Sequence, residues 1–224
     1  MTRGSYAEYM AVPAVFLARK PRALSHAEAA AVPVAALTAW GAVVDVAKAH
    51  EGQRILIHAG AGGVGHFAIQ FASYFGAEVA TTGSTRNLNW LRELGAKHVI
   101  DYTTTRFEDE LHDFDVVIDL VGNVRDNTGT RSLSVLKPGG LLVNVPSGSW
   151  PTLMQDAAAV GIRATHYRVP GDGATLSVVS RLLESGDVRV FVDQVFELDN
   201  AADAHRALET GHTRGKIVLT VSGD

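Results

Sequence analysis

The sequence predicts an α/β fold built on a doubly wound, parallel six-stranded sheet. Two observations carry that expectation. The first is a buried strand, a glycine turn and a helix in direct succession: Arg54-Ile-Leu-Ile-His-Ala-Gly-Ala-Gly-Gly-Val-Gly65, running on into His66-Phe-Ala-Ile-Gln-Phe-Ala72. The second is the alternation of short apolar runs with helical patterns from Gly52 onward, the signature of βαβ units and hence of parallel pairing.

Strands are expected at 54–59, 77–82, 97–100, 115–120, 140–145 and 162–168. The helices between them are expected at about 63–75, 86–94, 105–112, 125–136 and 151–160. Before the sheet, residues 5–17 read as extended, with Tyr6, Tyr9, Val12 and Val15 among small residues. Ser25-His-Ala-Glu28 is a capping box, with Ser25 at the N-cap and Glu28 three residues on. It opens an alanine-rich helical region to about Ala49, broken near Pro33. After the sheet, a helix at about 173–186 precedes a strand at 192–197, a helix at 199–210 and a strand at 216–221. Boundaries are expected near 22–24 and 188–192.

Gly60, Gly62 and Gly65 fall on the G-x-G-x-x-G spacing of the Rossmann dinucleotide fingerprint. Gly60 is expected to permit the tight turn, Gly62 to let the backbone approach a pyrophosphate, and Gly65 to let the helix pack close to the strand. Amide groups at the start of the helix then face the phosphates. An NAD-binding unit usually ends its second strand in an acid that bonds the ribose 2′-hydroxyl. Here that strand, Glu78-Val-Ala-Thr-Thr82, runs into Gly83-Ser-Thr-Arg86 with no acid. Ser84 offers a hydroxyl and Arg86 a guanidinium, which suit a 2′-phosphate. The cofactor expected is NADP rather than NAD, since the acid is absent and a base is present; the lesser alternative is that Arg86 only opens a surface helix.

The 224 residues suffice for one large domain, or one domain with part of a second. A net charge of −4 points away from nucleic acid and anionic membranes as partners. There is no cysteine, so neither disulfides nor thiolate chemistry are available. The N-terminus has no apolar run, and the longest uncharged stretch, Ala29 to Val44, is short and interrupted by Pro33. A soluble, cytoplasmic protein is expected.

Six segments, in order, resemble the zinc-independent medium-chain dehydrogenase/reductases, nearest the NADPH:quinone oxidoreductase and enoyl reductase branch. They are Gly4-Ser-Tyr-Ala-Glu-Tyr9, Ala30-Ala-Val-Pro-Val-Ala-Ala-Leu-Thr-Ala-Trp40, Ile57-His-Ala-Gly-Ala-Gly-Gly-Val-Gly65, Leu94-Gly-Ala-Lys-His-Val-Ile-Asp-Tyr102, Asp115-Val-Val-Ile-Asp119 and Arg214-Gly-Lys-Ile-Val-Leu219. Family members begin with most of a GroES-like β domain, and the first segment lies near its end. The resemblance therefore implies remnants of that domain at 1–22 and 192–224, flanking an NADP-binding Rossmann domain with its leading helix at 23–191. One wall of the substrate cleft would be largely absent.

The resemblance also assigns residues. Thr38 would approach the nicotinamide end, or simply be a helix-interior threonine bonding its own backbone. Ala61, Gly62, Gly63 and Val64 would hold the pyrophosphate. Ser84, Arg86 and Tyr102 would surround the 2′-phosphate, although Tyr102 could be a surface aromatic. Val121 and Gly122, with Val145 and Pro146, follow two strands at the carboxyl edge, where ligands bind in open α/β folds. Lys216 resembles the family lysine near the cofactor phosphates, or is only solvated. No catalytic side chain is identified. Nine histidines are scattered without the spacing of a zinc helix. The zinc-dependent branch would carry a cysteine at the position of Val34, so no metal is expected. His58 reads as packed, and His66 as lying on the helix surface. A short-chain dehydrogenase is excluded because no tyrosine has lysine four residues later.

The resemblance thus implies a reductase passing hydride from NADPH to a quinone or an α,β-unsaturated carbonyl. The alternatives are a chain that binds NADP(H) without turnover, or a remodelled non-reductive enzyme or partner subunit. The sixth strand alternates polar residues on both faces, which suits a sheet margin. The family commonly pairs that strand with a twofold mate, so a homodimer is expected.

Overall fold

The computed structural model describes residues 4–124 and 126–221. They divide into two compact units, one of residues 38–169 and one of the segments up to Leu37 and from Pro170. These divisions fall inside the boundaries expected near 22–24 and 188–192.

The 38–169 unit holds the six-stranded sheet. Its strands are β1 (Arg54–Ile57), β2 (Glu78–Gly83), β3 (His98–Asp101), β4 (Phe114–Asp119), β5 (Leu136–Asn144) and β6 (Arg163–His166). The order is β3-β2-β1-β4-β5-β6, and every neighbouring pair is parallel. The doubly wound sheet predicted from the alternating pattern is therefore present, with strand limits close to those expected.

Helical crossovers between parallel strands cover the sheet, and both of its faces are buried. Leu56 pairs with Ala80 and Val117, and Val117 with Leu142, so these four share one face. Phe107 of α5 (Phe107–Glu110) and Leu153 of α7 (Leu153–Ala159) join their cluster. The alternate residues Ile55, Ile57, Val79, Val116, Ile118 and Val143 are also buried, on the opposite face by the two-residue period of a strand. α3 (Gly65–Tyr74) packs on β1 and β2, and its Phe67 and Phe71 are fully buried. Each such side chain contributes roughly 2 kcal/mol by leaving water, against about 1 kcal/mol net for a ladder hydrogen bond. Apolar burial on the two faces therefore outweighs the ladders.

The leading helix is more irregular than its alanine-rich sequence suggests. The capping box forms as expected: Glu28 N–H donates to Ser25 Oγ at 3.2 Å, and Ser25 N–H to Glu28 Oε2 at 2.8 Å. The helix it opens, α1, is short (His26–Ala30). The break precedes Pro33, which then begins α2 (Pro33–Trp40), a position where a missing N–H costs nothing. α2 continues as one π-helical stretch, Gly41–Val46, which the sequence did not announce. There a side chain at Gly41 would collide with Tyr167, its Cβ lying 1.6 Å from the phenol oxygen.

The second unit contains α1 and α8 (Gly173–Ser185), together with β7 (Val192–Glu197), α9 (Ala201–Glu209) and β8 (Lys216–Thr220). β7 and β8 pair in parallel, and α9 packs on both. Asp172 caps α8 by accepting from Ala174 N–H at 2.9 Å. The extended segments expected at 5–17 are not strands; a 3₁₀ turn at Ala14–Phe16 is the regular element there. The apolar residues Tyr6, Tyr9 and Val15 are exposed and lack the packed face a strand needs.

The glycine turn separates space from flexibility. The residue with left-handed backbone is Ala59, at φ 52°, so the sharp exit from β1 is not made by Gly60 as expected. Gly60 is needed for room: a Cβ there would lie 2.1 Å from Thr81 Oγ1. At Gly65 it would lie 2.2 Å from the Ala59 carbonyl oxygen and 2.7 Å from Gly60 Cα. At Gly62 it would meet only the Ala59 carbonyl oxygen, at 3.2 Å. Gly65→Ala should therefore destabilise the fold by about 2–3 kcal/mol, because backbone must move. Gly62→Ala should cost less than about 1 kcal/mol. Urea unfolding of both variants checks this, and equal losses would contradict the packing role of Gly65.

Candidate functional site

The carboxyl ends of β1, β2, β4 and β5 carry most of the residues singled out in sequence. Buried Ala61 and half-buried Gly62, Gly63 and Val64 form the turn between β1 and α3. Gly62 is the glycine of the fingerprint with an open side, which is what a pyrophosphate approaching the backbone requires. The ten-residue α3 presents its N-terminal amide groups and positive dipole end there.

The turn is anchored by a buried string of hydrogen bonds. His58 Nδ1 lies 3.2 Å from Thr82 Oγ1, and Nε2 lies 2.9 Å from Ser132 Oγ. Thr82 Oγ1 accepts from Ala59 N–H at 3.2 Å, and Ser132 Oγ donates to the Thr128 carbonyl at 2.7 Å. Each hydroxyl has one proton. Ser132 spends its own on Thr128, so it accepts from His58 Nε2–H, and His58 Nδ1 accepts from Thr82. The string is satisfied only with a neutral imidazole. Burial, opposed in part by the Asp119 carboxylate, pushes the His58 pKa down to about 4. Phe107 stacks edge-on against the ring at 4.6 Å between centroids. His58 is packed, as expected. His66, expected on the helix surface, is instead fully buried, with Nδ1 3.0 Å from the Gly62 carbonyl oxygen and its ring 4.1 Å from that of Phe67. The first two turns of α3, Gly65 to Ala72, are buried on every side.

Around the end of β2, Ser84 is half-buried and Arg86 and Tyr102 are exposed. Tyr102 N–H donates to the Gly83 carbonyl at 3.1 Å, which brings the ends of β2 and β3 together. Ser84 Oγ accepts from Asn87 Nδ2 at 3.2 Å. A carboxylate that the second-strand argument did not weigh also lies here. Asp101 accepts from Thr85 Oγ1 at 2.5 Å and from the Thr103 N–H and hydroxyl at 3.0 and 2.6 Å. These bonds, Thr103's first, hold its carboxyl below the usual range. It is reached across β3 rather than along β2, so spacing along the second strand could not find it.

At the ends of β4 and β5, fully buried Asp119 ties the loops. Its Oδ1 accepts from Val121 and Gly122 N–H at 2.9 and 2.7 Å, and its Oδ2 from Asn144 Nδ2 at 3.0 Å. Val145 N–H donates to the Asp119 carbonyl at 3.0 Å. Gly122 has φ 74°, and Ser149 Oγ would lie 2.2 Å from a Cβ there. Val121, Gly122, Val145 and Pro146 are thus brought together. Asn144, whose Oδ1 also meets His166 Nδ1 at 3.2 Å, is the organising residue that sequence reasoning missed. Its signal was a polar residue ending an apolar strand.

Thr38 is buried within α2. Lys216 begins β8 in the other unit, its N–H donating to the Phe191 carbonyl at 2.9 Å. Val34 is exposed. Among the described residues no three His, Asp or Glu side chains gather as metal ligands, and the chain has no cysteine. No described helix is long and apolar enough to cross a membrane.

The family model for zinc-binding dehydrogenases matches residues 94–219. The chain is 41% identical to a 2-methylene-furan-3-one reductase of Solanum lycopersicum, over 96% of this chain and 52% of that protein. It is 37% identical to an NADPH-dependent alkenal/one oxidoreductase, chloroplastic, of Arabidopsis thaliana, over 96% and 53%. The structure resembles that of the quinone oxidoreductase from Coxiella burnetii with a TM-score of 0.86 and 38% identity, covering 91% of this chain and 63% of that one. The chain thus spans about half the length of those two curated relatives.

The neutral His58 makes stability depend on pH. Between its ordinary pKa of 6.5 and about 4, the unfolded chain binds a proton that the folded chain refuses. Stability is therefore full above that window and falls as pH drops through it, by up to roughly 3 kcal/mol. His58→Gln should lose this component. The urea-unfolding difference between wild type and variant should narrow from about pH 7.5 to about pH 4.5. A constant difference would show that His58 does not titrate with folding.

Proposed function

The chain belongs to the zinc-binding dehydrogenase family of medium-chain dehydrogenase/reductases, and from that premise we propose that it is an NADPH-dependent, zinc-independent reductase of a quinone or an α,β-unsaturated carbonyl. The observation that carries this reading is the open side of Gly62 at the carboxyl edge, beside a second strand ending in Ser84 and Arg86. When bound, NADPH supplies a hydride. Ala61, Gly62, Gly63 and Val64, with the start of α3, hold the pyrophosphate. Ser84, Arg86 and Tyr102 hold the 2′-phosphate, while Asp101 stays engaged by threonine hydroxyls. Thr38, Val121, Gly122, Val145 and Pro146 bound the nicotinamide end, and Lys216 serves the phosphates. Water suffices as proton source for a reduced quinone.

We further propose that 23–191 acts as the NADP-binding domain and that 1–22 and 192–224 belong to a GroES-like domain. A cysteine-free chain gains nothing from an oxidising compartment, and we place it in the cytoplasm. The second reading is NADPH binding without turnover. Titration beside a quinone-dependent NADPH oxidation assay separates the two.

NADPH should bind more tightly than NADH by roughly 1–3 kcal/mol, the scale of charge-assisted hydrogen bonds. Arg86→Ala should remove most of that preference, and Gly62→Val should abolish binding in a folded protein. Equal dissociation constants for the two cofactors in the wild type would defeat the assignment.

We also propose a homodimer joined through β6, which pairs with β5 on one side and is the sheet margin on the other. Tyr167 N–H donates inward to the Asn144 carbonyl, so strand alternation turns the Thr165 amide inward too and that of Ala164 outward. Ala164→Pro should therefore weaken the dimer more than it disturbs the sheet. Sedimentation at micromolar concentration checks this, and a monomeric wild type would end the proposal.

A further inference from the structure

Strands β4, β5 and β6 each end in a polar residue, and the three stand side by side. Asp119 pairs in register with Asn144, and Asn144 with His166, so they share one face of the sheet at its carboxyl edge. Asp119 and Asn144 are buried, while His166 is exposed. The row therefore runs from the interior out to solvent. Its middle residue is followed directly by Val145 and Pro146.

Hydrogen bonds fix the direction of each group. Ser149 Oγ donates its one proton to the Pro146 carbonyl at 2.8 Å, so it accepts from Asn144 Nδ2 at 3.3 Å. Asn144 Nδ2 also donates to Asp119 Oδ2 at 3.0 Å. Both amide hydrogens are thereby placed, and Asn144 Oδ1 is the atom that meets His166 Nδ1 at 3.2 Å. An amide oxygen only accepts, so His166 Nδ1 carries a hydrogen. The neutral ring is then bare at Nε2, and the protonated ring carries its transferable proton there.

A ring held at one nitrogen by an oriented acceptor, and open at the other, is the arrangement of a general acid. Only one of the two substrate classes needs such a group. The oxygens of a reduced quinone take protons from water. An enone that accepts hydride at Cβ must also gain a proton at Cα, and carbon exchanges protons with water slowly.

On the reductase reading, we propose that His166 is the catalytic acid for α,β-unsaturated carbonyl substrates, oriented by Asn144 and, through it, by Asp119. The substrate Cβ accepts hydride from NADPH, which is oxidised to NADP⁺, and the C=C electrons shift to form an enolate. The enolate Cα then takes the proton of His166 Nε2, breaking that N–H bond. Solvent returns a proton to the neutral ring. Asn144 holds Nδ1–H throughout, so the same nitrogen serves every turnover.

The whole chain is assayed with NADPH and either 3-penten-2-one or 1,4-naphthoquinone. His166→Ala, at an exposed position, should lower kcat for the enone about a hundredfold, the scale of general acid catalysis. Its kcat for the quinone and its dissociation constant for NADPH should stay nearly unchanged. A second readout needs no turnover: ¹⁵N NMR of the cofactor-free wild type should show neutral His166 as the Nδ1–H tautomer. Equal losses with both acceptors, no loss with the enone, or an Nε2–H tautomer overturns the proposal and leaves the reductase reading standing. So does a wild type that reduces the quinone alone. A wild type that oxidises NADPH with neither acceptor ends the reductase reading itself, and the role of His166 with it.

Discussion

The constraint on which the rest of the cofactor edge depends is the crossing of α3 over the end of β1. Ala59 turns the chain; the side chains of Thr81, Ile69 and Leu91 crowd Gly60 and the backbone of Ala59 and Gly60 crowds Gly65, so neither glycine has room for a methyl group. Thr81 Oγ1, whose hydroxyl donates to the Ile57 carbonyl at 2.7 Å, fills the space beside Gly60. Closeness at those two glycines is what leaves Gly62 outermost, with its open side toward the carboxyl edge. The shape of the glycine turn is therefore a consequence of packing. A fingerprint glycine can be essential for the fold, for a ligand or for both, and here packing requires Gly60 and Gly65 but not Gly62.

Polar groups buried at strand ends finish what packing begins. His58 joins the ends of β1 and β2 to α6 (Thr128–Ser132) through Thr82 and Ser132, and the string works only with an uncharged ring. Asp119 and Asn144 do the same for β4 and β5, folding the 121–122 loop back onto a carboxylate. An interior hydrogen bond adds little net stability, but its loss leaves a buried group unsatisfied. Such pairs consequently specify where loops sit more than they raise the stability of the sheet. Below the sheet face, Arg131 grips Glu108 with two bonds of 2.7 Å and holds that carboxyl down to about 2, fastening α5 to α6.

The two edges of the sheet differ because strand direction makes them chemically different. At the carboxyl edge, the glycine turn and the start of α3 present backbone amide groups. At the amino edge, where two residues of β4 span the distance of five of β5, side chains supply the charge, as in the Lys137–Asp115 pair at 2.9 Å. The first depends on backbone closeness and the second on a local surplus of chain.

Much of this protein was determined by local patterns. Alternation of apolar runs and helical stretches is enough to give the parallel sheet, because strands buried on both faces read as short continuous apolar runs and the helices between them as longer segments of helical pattern. The capping box at Ser25 and Glu28 and the spacing of Gly60, Gly62 and Gly65 were legible for the same reason: each depends on neighbours a few residues apart. The tertiary structure decided what depends on distant partners. Gly60 is explained by Thr81, Gly41 by Tyr167, and the neutrality of His58 by Ser132, residues from 21 to 126 positions away. His66 was misjudged because what packs around α3 buries its first two turns on every side and leaves no surface face there. Asp101 and Asn144 joined the site through strand pairing, and the bulge at the amino edge arose from a mismatch between β4 and β5. Those relations belong to register between strands, and no window along a single strand contains them.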